Sequence, residues 1–257
     1  MICAGPIQRG QDSLMSGLAV GSLWTCQGHH ELMKRADCTM LSIGAIVAPI
    51  FHKDPDYEAF ERILAEGRAR YDVQLFSYQL MPNHWHLVLR PNQDGEMSRF
   101  LRWITATHTM RYHAHYHTSG TGHVYQGRFK SFPVQDDSHF LTVCRYVERN
   151  ALRAGLVPRA EEWRWGSLWR WSQPMEPEPA LLSPWPIRRL PNWVAKVNEA
   201  LTDKELSALR RSAQRGTPFG ETNWINETSH RLGLSTTLRP RGRPQVRFPT
   251  KEQHNES

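Results

Sequence analysis

The sequence predicts an α+β domain: an antiparallel sheet carrying helices on one face, followed by a helical C-terminal extension and a basic tail. Three observations predict it. Two β-rich runs are joined by a short Pro-Asn turn, amphipathic helical stretches stand before and after that pair, and strands and helices do not alternate as a doubly wound parallel sheet requires.

The elements follow in order. The run 41–51 (LSIGAIVAPIF) is apolar and rich in Ile and Val, but Gly44 and Pro49 interrupt it. Asp54 and Pro55 open a helix to Arg70, with Asp54 as the expected N-cap and Tyr57, Phe60, Ile63 and Leu64 at helical spacing. Residues 73–79 (VQLFSYQ) and 84–90 (HWHLVLR) read as the two arms of a hairpin. A long helix runs from Met97 to His117, with Met97, Leu101, Ile104, His108 and Arg111 along one side. Residues 124–135 are extended, and Asp136 or Asp137 caps a helix from Ser138 to Arg149. Thr202 and Glu205 have the spacing of a capping box at the head of the helix 202–215, and a second helix covers 224–232.

Composition narrows the function. The 257 residues carry 32 Lys and Arg against 25 Asp and Glu, a net charge of +7 that favours a polyanionic partner. Charged residues at 22% and aromatics at 10% belong to a folded protein and exclude a collagen-like or wholly disordered chain. No apolar run approaches the roughly 20 residues that span a bilayer. The four cysteines, at 3, 26, 38 and 144, form neither a disulfide framework nor a C-x-x-C knuckle, so a reducing, cytoplasmic setting is expected.

Two short constellations carry chemistry. His84 and His86 flank Trp85 on a strand, so both imidazoles share one face and can converge on an ion while the indole turns to the core. Alone, such a pair reads more readily as two surface or cross-strand histidines than as ligands. Tyr146 and Asn150 stand four apart on a helix and share its face, with Phe140, Val143 and Val147 available to pack the helix on the sheet. A phenol with a pKa of about 10 is a poor nucleophile unless a cation is close or the substrate is already polarised. Alone, Tyr146 reads as a half-buried packing residue.

Arg128 and Lys130 alternate with Phe129 on an extended segment, so both charges share a face suited to phosphate contact. Arg99, Arg102, His108, Arg111 and His115 add either to a DNA groove or to a solvated helix face. Trp165, in the cluster of Trp163, Trp165, Trp169 and Trp171, is expected to pack against the domain. The tail segment 239–244 (RPRGRP) places Arg241 and Arg243 around Gly242, which suits either a minor-groove clamp or an ordinary basic tail.

Taken in order, YQLMPNHWHLVL, GHVYQGRFKSFPVQDD, CRYVERNALRAGLV and WRWGSLWRW resemble the single-tyrosine HUH transposases, and among them the REP-associated tyrosine transposases related to the insertion-sequence-200 type. The resemblance spans residues 50–171. It implies a ferredoxin-like α+β fold, a homodimer acting on single-stranded or hairpin DNA, and a divalent metal, Mg²⁺ or Mn²⁺. His84 and His86 match the HUH histidines, Tyr146 the nucleophile, and Asn150 the third metal ligand. The proline that often follows that asparagine is Ala151 here. The implied reaction is cleavage and rejoining of DNA through a 5′-phosphotyrosine. A domesticated or inactive hairpin-binding protein of the same fold is the alternative, and a metal-dependent hydrolase using His84 and His86 is a third reading, which lacks an evident carboxylate beside them.

One departure stands out. The family opens with a strand reading Y-H-V-x-x-R-G, and LSIGAIVAPIF occupies its place. The expected organisation is therefore an atypical segment 1–48, frame-shifted or disordered with the first strand lost; a transposase-like domain 49–171; a Pro-rich wrapped linker 172–191; a helical extension 192–238; and a basic, AT-hook-like, disordered tail 239–257.

Overall fold

The computed structural model describes residues 49–125, 129–175, 177 and 179–239, together with the backbone of 38–44. Residues 1–37 and the tail from 240 onward lie outside the described residues, as do Arg128, Arg241 and Arg243.

The sheet has four strands in the order β2-β3-β1-β4, all neighbours antiparallel: β1 (Cys38–Gly44), β2 (Val73–Met81), β3 (His84–Pro91) and β4 (Lys130–Val134). With α1 (Asp54–Arg70) between β1 and β2, and α2 (Glu96–Tyr116) between β3 and β4, this is the ferredoxin-like βαββαβ arrangement. The first strand is thus present. Cys38–Gly44 lies inside the segment that sequence sets apart and pairs with β3 on one side and β4 on the other. The sheet therefore begins before the boundary expected at residue 49. Gly44 and Pro49 break up the apolar run that follows, and pairing with β3 and β4 is long-range, so local pattern does not mark this strand.

Alternation along β3 sets the two faces. Trp85, Leu87 and Leu89 point into a core formed with Phe60, Ile63 and Leu64 of α1 and Phe100, Leu101 and Ile104 of α2. Gly67 lets the two helices approach: a Cβ there would lie 2.8 Å from Phe100 and 2.9 Å from Ile104. The cap of α1 differs from expectation. Asp54 is already helical, Lys53 is the N-cap, and Asp56 Oδ2 accepts the backbone N–H groups of His52 and Lys53.

The expectation of helices on one face holds for α1 and α2. The other face is covered as well, by α3 (Ser138–Glu148), whose Phe140, Val143, Cys144 and Val147 pack with Phe76, Val88, Phe132 and Val134. Both faces of β2 and β3 are apolar, so a sheet covered on one side only would leave Phe76 and Val88 in water. Asp137 caps α3 by accepting from the His139 N–H at 2.7 Å. The helical path continues through Arg149 into a short turn, α4 (Asn150–Arg153).

Later segments close both sheet edges. Along β2, Leu80 N–H donates to the Trp165 carbonyl, Ser183 N–H to the Leu75 carbonyl at 2.7 Å, and the Trp185 indole to the Phe76 carbonyl at 2.8 Å. Gly166 makes the close approach feasible, since a Cβ there would lie 2.2 Å from the Gln79 amide oxygen. Along β4, Phe219 exchanges backbone hydrogen bonds with Pro133 and Gln135. Trp165 packs against the domain as expected, stacked on Tyr57 at 4.8 Å between ring centroids. Past α5 (Ser167–Ser172) the chain forms α6 (Trp193–Asn198), α7 (Asp203–Arg215), α8 (Thr222–Arg231) and α9 (Ser235–Leu238). Thr202 and Glu205 form the expected capping box on α7. No helix among the described residues is long and apolar enough to cross a membrane.

Candidate active site

His84 and His86 project from the α3 face of β3, on the side of Val88 and opposite Trp85. Their rings meet edge to face at 4.9 Å between centroids, as spacing i, i+2 requires. His84 is half-buried and its Nδ1 shares a hydrogen bond with Asn83 Oδ1 at 2.7 Å. His86 is only 5% exposed, and neither ring nitrogen has a hydrogen-bond partner. Burial pushes the proton affinity of both imidazoles down, most strongly at His86; at His84 the Arg153 charge adds to it, and at His86 first the neighbouring His84 and then Arg153. His86 is therefore neutral near pH 7, with a lone pair to offer.

Tyr146 comes to this pair from α3. Its ring lies 6.2 Å from the His86 ring, edge to face. Val143 and Val147, packed with Phe76 and Val88, fix the helix rotation that brings Tyr146 here. One turn on, Asn150 is 2% exposed; its Oδ1 accepts from Arg153 Nη2 at 2.8 Å, while its Nδ2 has no partner. The Arg153 guanidinium also covers the Tyr146 ring, with Cζ 4.8 Å from the centroid. Arg153 is the residue that sequence reasoning passed over. Its signal was there, because 146, 150 and 153 follow i, i+4, i+7 on one helical face.

Lys130 lies on the same face of the sheet. Ser42 of β1 pairs with His86 on one side and with Lys130 on the other, and directly opposed residues share a face. Its side chain is exposed. On α2, His108 is buried and the Arg111 guanidinium is held by both oxygens of Glu66 at 2.9 and 2.7 Å, whereas Arg99, Arg102 and His115 are exposed.

An orphaned, neutral, buried imidazole beside a second histidine, with Tyr146 against it and Asn150 one helical turn further on, is a donor set that suits a divalent cation. Among the described residues no three His, Cys, Asp or Glu cluster in this way. Among the described residues, therefore, only Asn150 or substrate oxygens could complete a cation site with the imidazoles, and no carboxylate clusters with them to serve as a base for water.

Residues 47–150 match the family described as "Transposase IS200 like", a stretch that contains His84, His86, Tyr146 and Asn150. This stretch is similar to the IS200-like transposases. The sheet, the two histidines and the tyrosine helix all fall within the matched stretch or at its border. Among solved structures the chain is similar to one titled "Structure of the REP associates tyrosine transposase bound to a REP hairpin". The TM-score is 0.45 and the identity 13%, over 61% of this chain and 93% of that one. No curated protein matches the chain.

Proposed function

We propose that the protein cleaves and rejoins single-stranded, hairpin-associated DNA by transesterification on Tyr146. The observation that carries this reading is the meeting of Tyr146 with His86, a buried imidazole whose two nitrogens lack partners. Tyr146 Oη attacks the scissile phosphorus and the P–O3′ bond breaks. The phenol proton is released, the departing 3′ oxygen takes up a proton, and a 5′-phosphotyrosine is left on the protein. The phosphodiester bond energy is kept in that link, so the same site can run the step backwards and rejoin DNA. His84, His86 and Asn150 Oδ1 would hold a divalent cation, Mg²⁺ or Mn²⁺, which supplies polarisation of the phosphate. Lys130, exposed on the same sheet face, supports contact with the DNA backbone, and Arg128, two residues earlier in the sequence, is proposed to share that role.

The domesticated, non-cutting alternative needs none of this convergence, and the hydrolase reading needs a base that the site lacks. A homodimer, which the family resemblance implies, has to form away from the sheet edges, because the chain's own segments 163–166, 183–185 and 219 occupy both. Arg241 and Arg243 in the tail are proposed to contact the minor groove of adjoining duplex. Cys144 is buried and forms no disulfide, which fits action in the cytoplasm.

The test is incubation of a labelled single-stranded hairpin with the full chain and Mg²⁺, followed by a denaturing gel. A covalent adduct mapped to Tyr146 is expected. Hairpin binding with no adduct under any divalent metal would favour the non-cutting alternative. Truncation after Leu238 is expected to weaken duplex binding and flatten its salt dependence without loss of the adduct.

A further inference from the structure

We propose that Arg153 is a displaceable stand-in for the metal, holding the Asn150 amide oxygen and the Tyr146 ring until a divalent ion takes its place and frees its guanidinium for the phosphate. The inference rests on the proposed function and deepens it.

The chemistry of the contact is decisive. A guanidinium can only donate, so the Asn150 atom that it touches must be the amide oxygen. That oxygen is the one atom of Asn150 able to ligate a cation. The other end, Nδ2, is buried without a partner, and it is a donor. In this form the oxygen of Asn150 is thus engaged by Arg153, and the atom left without a partner is one that cannot ligate. An amide oxygen has a second lone pair, but ligation through it would hold a dication next to a guanidinium, and at such range the repulsion is large in a partly buried site. Arg153 and the metal thus compete for Asn150.

Arg153 is well placed to yield. Its side chain is exposed, whereas Asn150 beneath it is fixed by burial. A guanidinium that leaves Asn150 is still on the Tyr146 face of the helix, where a scissile phosphate must arrive. Its planar fork suits two phosphate oxygens, and its charge would offset the negative charge that gathers on them. The contacts at 2.8 Å to Asn150 and 4.8 Å over Tyr146 are then one position of this arm, the one held before the metal arrives.

The experiment measures Mn²⁺ binding to the full chain by calorimetry, with no DNA present. Arg153→Met keeps the stem and removes the charge, and it should bind Mn²⁺ about tenfold more tightly than wild type. In an Asn150→Ala background the same change should gain about threefold or less, because the shared oxygen is gone. At saturating Mn²⁺, Arg153→Met should form the hairpin adduct at least ~10-fold more slowly, while Arg153→Lys should retain more of the rate. Unchanged or weaker Mn²⁺ affinity in Arg153→Met overturns the inference, as does a full tenfold gain persisting without Asn150. If wild type binds no Mn²⁺, or if His86→Ala binds it equally well, the metal-site reading itself fails, and this inference with it.

Discussion

Trp193 donates its indole N–H to Glu148 Oε2 at 2.7 Å, joining the first residue of α6 to the last residue of the tyrosine helix. Glu148 is fully buried. Its other oxygen accepts from Ser167 Oγ at 2.7 Å and Ser77 Oγ at 3.3 Å, so one carboxylate ties α3 to β2, α5 and the C-terminal extension. Arg145, on the same helix, donates to the carbonyls of Glu199 and Ala200. The extension is thereby part of what holds Tyr146 in place. Glu148→Ala removes the acceptor of three buried donors, of which the two serines can still pair with each other, and should lower unfolding free energy by about 2–3 kcal/mol in denaturant titrations, and Trp193→Phe by about 1. Equal stability of Glu148→Ala and wild type would mean that the extension is not coupled to α3.

Gly67→Ala should also destabilise, although alanine is the better helix former by about 1 kcal/mol. The added Cβ would meet Phe100 and Ile104, both fully buried and unable to retreat. Overpacking of this kind costs about 1–3 kcal/mol, so the net effect is a modest loss in thermal stability. A raised melting temperature would show that α1 and α2 can move apart.

Much of this was legible in the sequence, for local reasons. The hairpin 73–91 and the helix starting at Ser138 follow from periodicity, and spacing alone put His84 with His86 and Tyr146 with Asn150. That the two pairs face each other was not local information. It depends on Val143 and Val147 packing with Phe76 and Val88, across the face of the sheet that sequence reading left uncovered. The strand β1 and the Glu148–Trp193 contact were hidden for the same reason, since each is a pairing between distant parts of the chain.

His108 gives stability a pH dependence with a definite sign. Buried beneath Phe51 and Phe60, with Nδ1 on the Tyr125 hydroxyl, it is pushed down from its ordinary 6.5 to about 4 by desolvation, against a small opposing pull from Asp56. Between those values the unfolded chain carries a proton that the folded chain refuses. Stability that is present above pH 6.5 is therefore lost as pH falls towards 4, by about 3 kcal/mol for this residue. His108→Gln keeps an acceptor for Tyr125 and cannot titrate. The difference in stability between wild type and His108→Gln should shift by that amount across the window, measured by urea unfolding at several pH values. A constant difference would place the proton elsewhere.

Tyr146 should be the one tyrosine that takes up DNA, and its rivals show why. Tyr125 is buried, accepts from the Trp85 indole and meets His108, and desolvation pushes its phenol far up. Tyr116 is raised by desolvation and by its hydrogen bond to the Asp56 carboxylate, and Tyr112, paired with His52, is raised by desolvation and by the Asp56 charge. A phenol held protonated in this way is a poor nucleophile. Tyr146 instead has an imidazole beside it and a guanidinium over its ring. Tyr146→Phe keeps the ring contacts, so stability should change by less than about 0.5 kcal/mol while adduct formation disappears. His84→Ala and His86→Ala should lose cleavage with hairpin binding largely retained, because neither change touches Lys130 on β4. Peptide mapping of an adduct to Tyr112 or Tyr116, or cleavage by Tyr146→Phe at the wild-type rate, would remove Tyr146 from the mechanism and leave His84 and His86 without a nucleophile to serve.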